Sequence, residues 1–158
     1  MAGIYTVSFD GVSVSAAQDL FAVVAPSSTP IVLLGFELGV GGGTADAGDA
    51  QEELLRLRIR SGQTTAGSGG SSATPVNTTG GGGAASFTAR VNDTTQASGG
   101  TIVVHWTGAF NPRAGFDKVF TDLQQIVLPA GRRGTVELVE APADALLLSG
   151  TLWVLERE

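Results

Sequence analysis

Leu55-Arg56-Leu57-Arg58-Ile59-Arg60 alternates apolar and charged residues without a break, and no other stretch constrains the fold of this chain as tightly. Period-two alternation sets Leu55, Leu57 and Ile59 on one face and three guanidiniums on the other, the pattern of an antiparallel strand with one face in a core. Helical spacing fits the run worse. The strand opens onto residues 61–86, where eighteen of twenty-six are Gly, Ser or Thr. That is too little apolar surface to offset the entropy of ordering a compact element, so a flexible loop excursion over 61–86 is expected on a β-scaffold. The arginine stripe reads first as a solvated sheet face and second as a docking surface.

The rest of the chain repeats the β pattern. Tyr5, Val7 and Phe9 alternate with polar residues until Asp10-Gly11 shifts the phase, which implies a bulge or a tight hairpin. Further strands are expected over 19–24, 31–40, 84–92, 101–106, 123–128, 133–140 and 145–155, separated by Pro- and Gly-bearing turns. Leu123 is counted in the buried strand that ends at Leu128. Eight or nine strands without a convincing helix predict an all-β chain, an antiparallel β-sandwich or jelly roll of about eight strands. At 158 residues the chain has the size of a single domain, 1–158, with enough core to need no disulfide or structural metal.

Composition narrows the functional classes. Cysteine is absent, which removes disulfides, thiolate metal sites and cysteine nucleophiles and suits a reducing compartment. Net charge is −6 with basic residues scattered, against the clustered basic face that nucleic acid requires. No run approaches the roughly 20 apolar residues of a membrane span. The N-terminus alternates like a strand rather than like a signal peptide, so synthesis in a cytoplasm is expected. Charged residues make up only 15% of the chain, well under the usual quarter, which is easier to understand if a partner covers part of the surface.

Few residues suggest chemistry. His105 is the single histidine; a cupin-type metal site needs several convergent ligands, so it reads as a structural or solvent-facing residue. A Ser-His-Asp arrangement would have to recruit His105, and no GxSxG is present. The run Gly39-Val-Gly-Gly-Gly-Thr lacks dinucleotide-loop spacing. Asp46, Asp49, Glu52 and Glu53 lack EF-hand order and read as solvated loop charge. No cofactor, metal or catalytic residue is therefore expected. Trp106, Phe110, Phe116 and Phe120 put four of the ten aromatic rings into one short stretch. Aromatics with an arginine in an irregular loop resemble interface anchors, although the same rings could instead close one end of the sandwich. Tyr5, Phe110, Arg113, Phe116 and Phe120 form the candidate interface set.

Several segments carry a resemblance: Tyr5-Thr-Val-Ser-Phe-Asp-Gly-Val-Ser-Val-Ser, Ala17-Gln-Asp-Leu-Phe with Ala25-Pro26, Leu55-Arg-Leu-Arg-Ile-Arg, and Gly67-Ser-Gly-Gly-Ser with Thr74-Pro75. Phe110-Asn-Pro-Arg-Ala-Gly-Phe116, Pro129-Ala-Gly, Ala141-Pro-Ala-Asp-Ala and Ser149-Gly-Thr-Leu complete it. Over most of its length the chain resembles small β-proteins of tailed-phage and prophage structural modules that look like capsid decoration, or cement, proteins. The resemblance implies a non-enzymatic virion protein, made in the host cytoplasm and located on the capsid exterior. It implies a homotrimer bound to the major capsid protein of an HK97-type head, with no nucleic-acid or membrane partner. A carbohydrate- or receptor-binding β-sandwich of a tail or cell surface is the alternative, and a cupin-like enzyme the third reading.

Overall fold

The computed structural model describes residues 3–41 and 53–157. Twelve strands form two antiparallel sheets that pack face to face, with no helix among the described residues. Sheet A contains β1 (Gly3–Val14), β3 (Ile31–Val40), β6 (Val76–Asn77), β9 (Phe116–Val119), β10 (Ile126–Leu128) and β12 (Leu146–Glu156). Its order is β10-β3-β12-β1-β6, with β9 also on β3. Sheet B contains β2 (Gln18–Val24), β4 (Leu55–Ser61), β5 (Ser71–Ala73), β7 (Thr88–Asp93), β8 (Val103–Phe110) and β11 (Arg133–Leu138). Its order is β5-β7-β2-β11-β4-β8.

The alternation that predicts β4 holds on its apolar side: Leu55, Leu57 and Ile59 are buried against sheet A. On β1, Tyr5, Val7 and Phe9 point inward, and the phase shift is a bulge, with Phe9 opposite Gly150 and Val12 opposite Leu148. Gly11 takes φ +60 there, a left-handed conformation that a side chain would strain. The Gly11 N–H donates to Ser149 Oγ at 2.9 Å, so the bulge is tied to the neighbouring strand. Rings bridge the sheets, Phe9 to Phe21 with centroids 5.1 Å apart.

Two expectations change. Residues 61–86 were expected as an excursion, but β5 pairs with β7 at the edge of sheet B and β6 pairs with β1 at the edge of sheet A. Backbone pairing needs donors and acceptors and no apolar side chain, which is why a Gly/Ser/Thr-rich run can join both sheets. Leu123 lies outside any strand and is 99% exposed. The Gln124 N–H donates to Thr121 O at 2.7 Å and closes a turn there, so β10 begins only at Ile126.

Candidate functional site

The arginine stripe occupies the outer face of sheet B and disappears progressively into the protein. Side-chain exposure falls from 63% at Arg56 to 33% at Arg58 and 10% at Arg60. Arg56 pairs with Glu140 at 3.1 Å in solvent. Arg58 Nη2 donates to Glu137 Oε1 at 3.0 Å, and its Nε also meets that carboxylate. Arg60 Nε lies 2.8 Å from Glu137 Oε2, out of line for a hydrogen bond, and Arg60 Nη2 stands 3.8 Å from Asp19 Oδ1. The expected solvated face is thus correct at Arg56 and wrong at Arg60.

Two loops cover the inner end of the stripe. Residues 62–70 and 94–100 pair with each other through the bridges Thr65–Ser98 and Ser68–Thr95. The side chains of the sheet hold them down: the Ala97 N–H donates to Asp19 Oδ2 at 2.7 Å, Arg60 Nη2 donates to Ala97 O at 3.4 Å, and Gln63 Nε2 donates to Thr135 Oγ1 at 2.9 Å. Gly70 N–H donates to Asp93 Oδ1 at 3.1 Å, and a Cβ on Gly70 would stand 2.1 Å from Val91 O. Loop and sheet can approach so closely only with glycine at that position. Burial pushes the Asp19 carboxyl up to about 6, against the opposing pull of the Ala97 N–H and Arg60; Glu137 and Asp93 nearby add to the rise. A carboxyl titrating near 6 suits general acid chemistry, but Asp19 is fully buried and no substrate reaches it. The cluster is a clasp for the two loops.

His105 stands at a second irregularity. Ile59 pairs with Trp106 and Arg60 with Val104, so His105 is the extra residue of a bulge in β8. Its Nε2 lies 2.8 Å from Ser61 Oγ. Partial burial lowers the imidazole pKa. Ser61 is buried, which denies a substrate access to that hydroxyl. Among the described residues no carboxylate hydrogen-bonds the ring, and no group of three or more His, Asp or Glu is placed to hold a metal ion.

The candidate interface set divides. Tyr5, Phe110 and Phe120 are buried in the core. Phe116 is half-buried in a ring cluster with Phe36, Trp106 and Phe110. Arg113 alone is exposed, in the turn that follows β8. The rings therefore close the sandwich: β1 and β8 direct Tyr5, Trp106 and Phe110 inward, β9 does so for Phe116, and Phe120 follows it. Asp46, Asp49 and Glu52 lie outside the described residues. Glu53 accepts a hydrogen bond from the Ala143 N–H at 2.9 Å.

The surface that sequence reasoning missed is the outer face of sheet A. Antiparallel partners share a face, and one row runs Val76, Thr6, Trp153, Gly35, Val119 across five strands. The next row runs Ile4, Leu155, Val32, Val127. Val76 is 61% and Val119 68% exposed, with Ile4 and Val127 also exposed and Trp153 half-buried at the centre. Beside this stripe the rows turn polar: Ser8, Thr151, Glu37 and Asp117, then Asp10 with Ser149. They line an open cleft of about 670 Å³ that also touches Phe116. Neither Glu37 nor Asp117 pairs with a described cation. One local signal lies in β12, where Leu147, Trp153 and Leu155 interrupt the polar Ser149 and Thr151 on the second alternating set, a partial form of the pattern of a strand covered on both faces.

Comparison of the chain with family models, curated proteins and solved structures gave no significant match.

Proposed function

We propose that this chain is a non-enzymatic structural subunit that docks through the outer face of sheet A onto a larger assembly. The observation that carries the reading is the set of exposed apolar residues Ile4, Val76, Val119 and Val127 around the half-buried Trp153 on that face. Exposed apolar side chains around a tryptophan with polar residues beside them are the composition of a protein interface. The acidic row of Glu37 and Asp117 at its margin favours a partner with a basic rim. The resemblance carried by the sequence supplies the setting: the outside of a tailed-phage head, where a trimer would clamp neighbouring major capsid proteins. Multivalent docking on a lattice would turn weak single contacts into high avidity. The order β1-β12-β3-β10 facing β2-β11-β4-β8 supports a jelly-roll connectivity for the eight-strand core of this subunit, with β5 to β7 inserted between β4 and β8.

Co-sedimentation with expanded heads tests the reading. The wild-type chain is expected to pellet with heads and Trp153→Ser to remain in the supernatant; equal pelleting of both would overturn the docking face. The cleft of Ser8, Glu37, Asp117 and Thr151 beside Phe116 favours a second reading, a sugar-binding surface with polar groups around one ring. A glycan array distinguishes it, since saturable glycan binding by the isolated chain belongs only to that reading.

A further inference from the structure

Sheet edges are normally blunted by shortness, charge or cover. Three edge strands obey: β5 has three residues, β6 two and β10 three. The edge strand β9 carries Asp117 and Lys118. Strand β8 has only the bulge at His105 in this role, for it runs eight residues without a lysine, arginine, aspartate or glutamate. It pairs only with β4, and Ile102, Val103 and Val104 at its start are exposed. The bulge at His105 leaves Trp106 to Phe110 regularly paired with β4 on one side, and the other side of those residues is open.

A pocket of about 280 Å³ adjoins this edge, between β8 and the β9–β10 flank of sheet A, lined by His105, Trp106, Lys118, Phe120, Gln124 and Ile126. Its walls are mixed, with Trp106, Phe120 and Ile126 beside His105, Lys118 and Gln124. Its ionisable groups are Lys118, whose Nζ lies 5.4 Å from the Phe120 ring centroid, and His105. In a chain of net charge −6, this pocket has no acidic lining residue.

We propose that the β8 edge and this pocket bind an extended segment of a partner protein, which adds a strand to sheet B and places a glutamate beside Lys118. Backbone pairing along Trp106 to Phe110 would supply the affinity and the pocket the selectivity, the division of labour in strand addition. The lysine selects the acidic side chain, and the methylenes of a glutamate can lie against Trp106, Phe120 and Ile126. This surface is separate from the outer face of sheet A, so its failure leaves the docking reading untouched.

The test uses the full chain carrying Trp153→Phe, which leaves Trp106 as the single indole. The probes are capped seven-residue peptides of alternating threonine and valine with a central glutamate, a central lysine, or the glutamate peptide N-methylated at alternate amides. The glutamate peptide is expected to shift Trp106 fluorescence saturably and to bind at least about tenfold more tightly than the lysine peptide. Lys118→Glu should invert that order, and N-methylation should abolish binding. Equal affinity for both charges, indifference to N-methylation, or no saturable shift at millimolar peptide would overturn the proposal. So would a homodimer in analytical ultracentrifugation that Val104→Lys dissociates, because the edge would then belong to a second copy.

Discussion

The outer faces of the two sheets invert the usual relation between charge and exposure. Sheet B carries Asp19, Arg58, Arg60, Glu137 and Asp93 on its outer face, and the paired loops 62–70 and 94–100 close over most of them. Sheet A carries Ile4, Val76, Val119, Val127 and Trp153, and these stay open. The charged face is completed by the chain itself, each carboxylate meeting a guanidinium or a loop N–H. The apolar face is completed by nothing in the described residues. Charge here marks where the protein closes on itself, and the exposed apolar surface is where the proposed partner would dock.

The comparison predicts that one face governs stability and the other association. Glu137→Ala should have the largest effect on folding. It leaves the buried Arg60 guanidinium, and the part-exposed Arg58 beside it, without their shared carboxylate, and breaking a buried pair costs about 3–5 kcal/mol, readable by urea denaturation. A loss below about 1 kcal/mol would mean that the cluster behaves as a surface ion pair and that the contrast between the faces is false.

Asp19 supplies a pH test on the same face. Its folded-state pKa is raised to about 6, so the folded chain holds a proton that the unfolded chain, near the ordinary carboxylate value, releases. The stability from this group is therefore fully present below that ordinary value and is lost as pH rises through about 6, by an amount on the order of 3 kcal/mol. Asp19→Asn keeps an acceptor for the Ala97 N–H and should flatten the stability profile between about pH 4 and 6. A profile identical to wild type would show that another group titrates in that window.

On sheet A the expectation reverses. Trp153→Ser should change the free energy of unfolding by less than about 1 kcal/mol while reducing occupancy on heads at least about tenfold, measured on one preparation by denaturation and co-sedimentation. A large stability loss would make the stripe part of the fold. Arg56→Ala should have the smallest effect: its partner Glu140 is exposed, so the thermal midpoint is expected to stay within error. The pair holds the Glu140 carboxyl below its ordinary value, so any contribution would be present at neutral pH and lost on acidification.

The sequence shows one side of each strand better than the other. Leu55, Leu57 and Ile59 face the core as their spacing requires, and Asp10-Gly11 marks a bulge because two turn-forming residues interrupt a strict alternation. The arginine side of β4 was readable at Arg56 and unreadable at Arg60, since its burial depends on loops separated from each other by more than twenty residues of chain. Backbone pairing leaves no side-chain pattern, so the Gly/Ser/Thr-rich stretch concealed β5 and β6. The aromatic run from Trp106 to Phe120 admits from sequence either an interface or a closed end of the sandwich, and its rings are mostly interior. The stripe on sheet A draws single residues from five strands, at positions 4, 76, 119, 127 and 153, and no strand contains more than one of them.

Strands β5 and β6 lie on different sheets and are joined by Thr74 and Pro75 alone. The chain thus laces one flank of the sandwich, from β7 across to β1, where Tyr5 pairs with Asn77 and the Thr78 N–H donates to Ile4 O at 2.9 Å. On the opposite flank β8 and the β9–β10 pair face each other across a pocket that no described strand bridges, and the rings of Phe36, Trp106, Phe110 and Phe116 are what join the sheets there. One seam is thus sewn with backbone and the other buttoned with side chains. If the buttons are the weaker fastening, amide exchange should show it, with protons on β8 and β9 leaving first and those of β1 and β12 last.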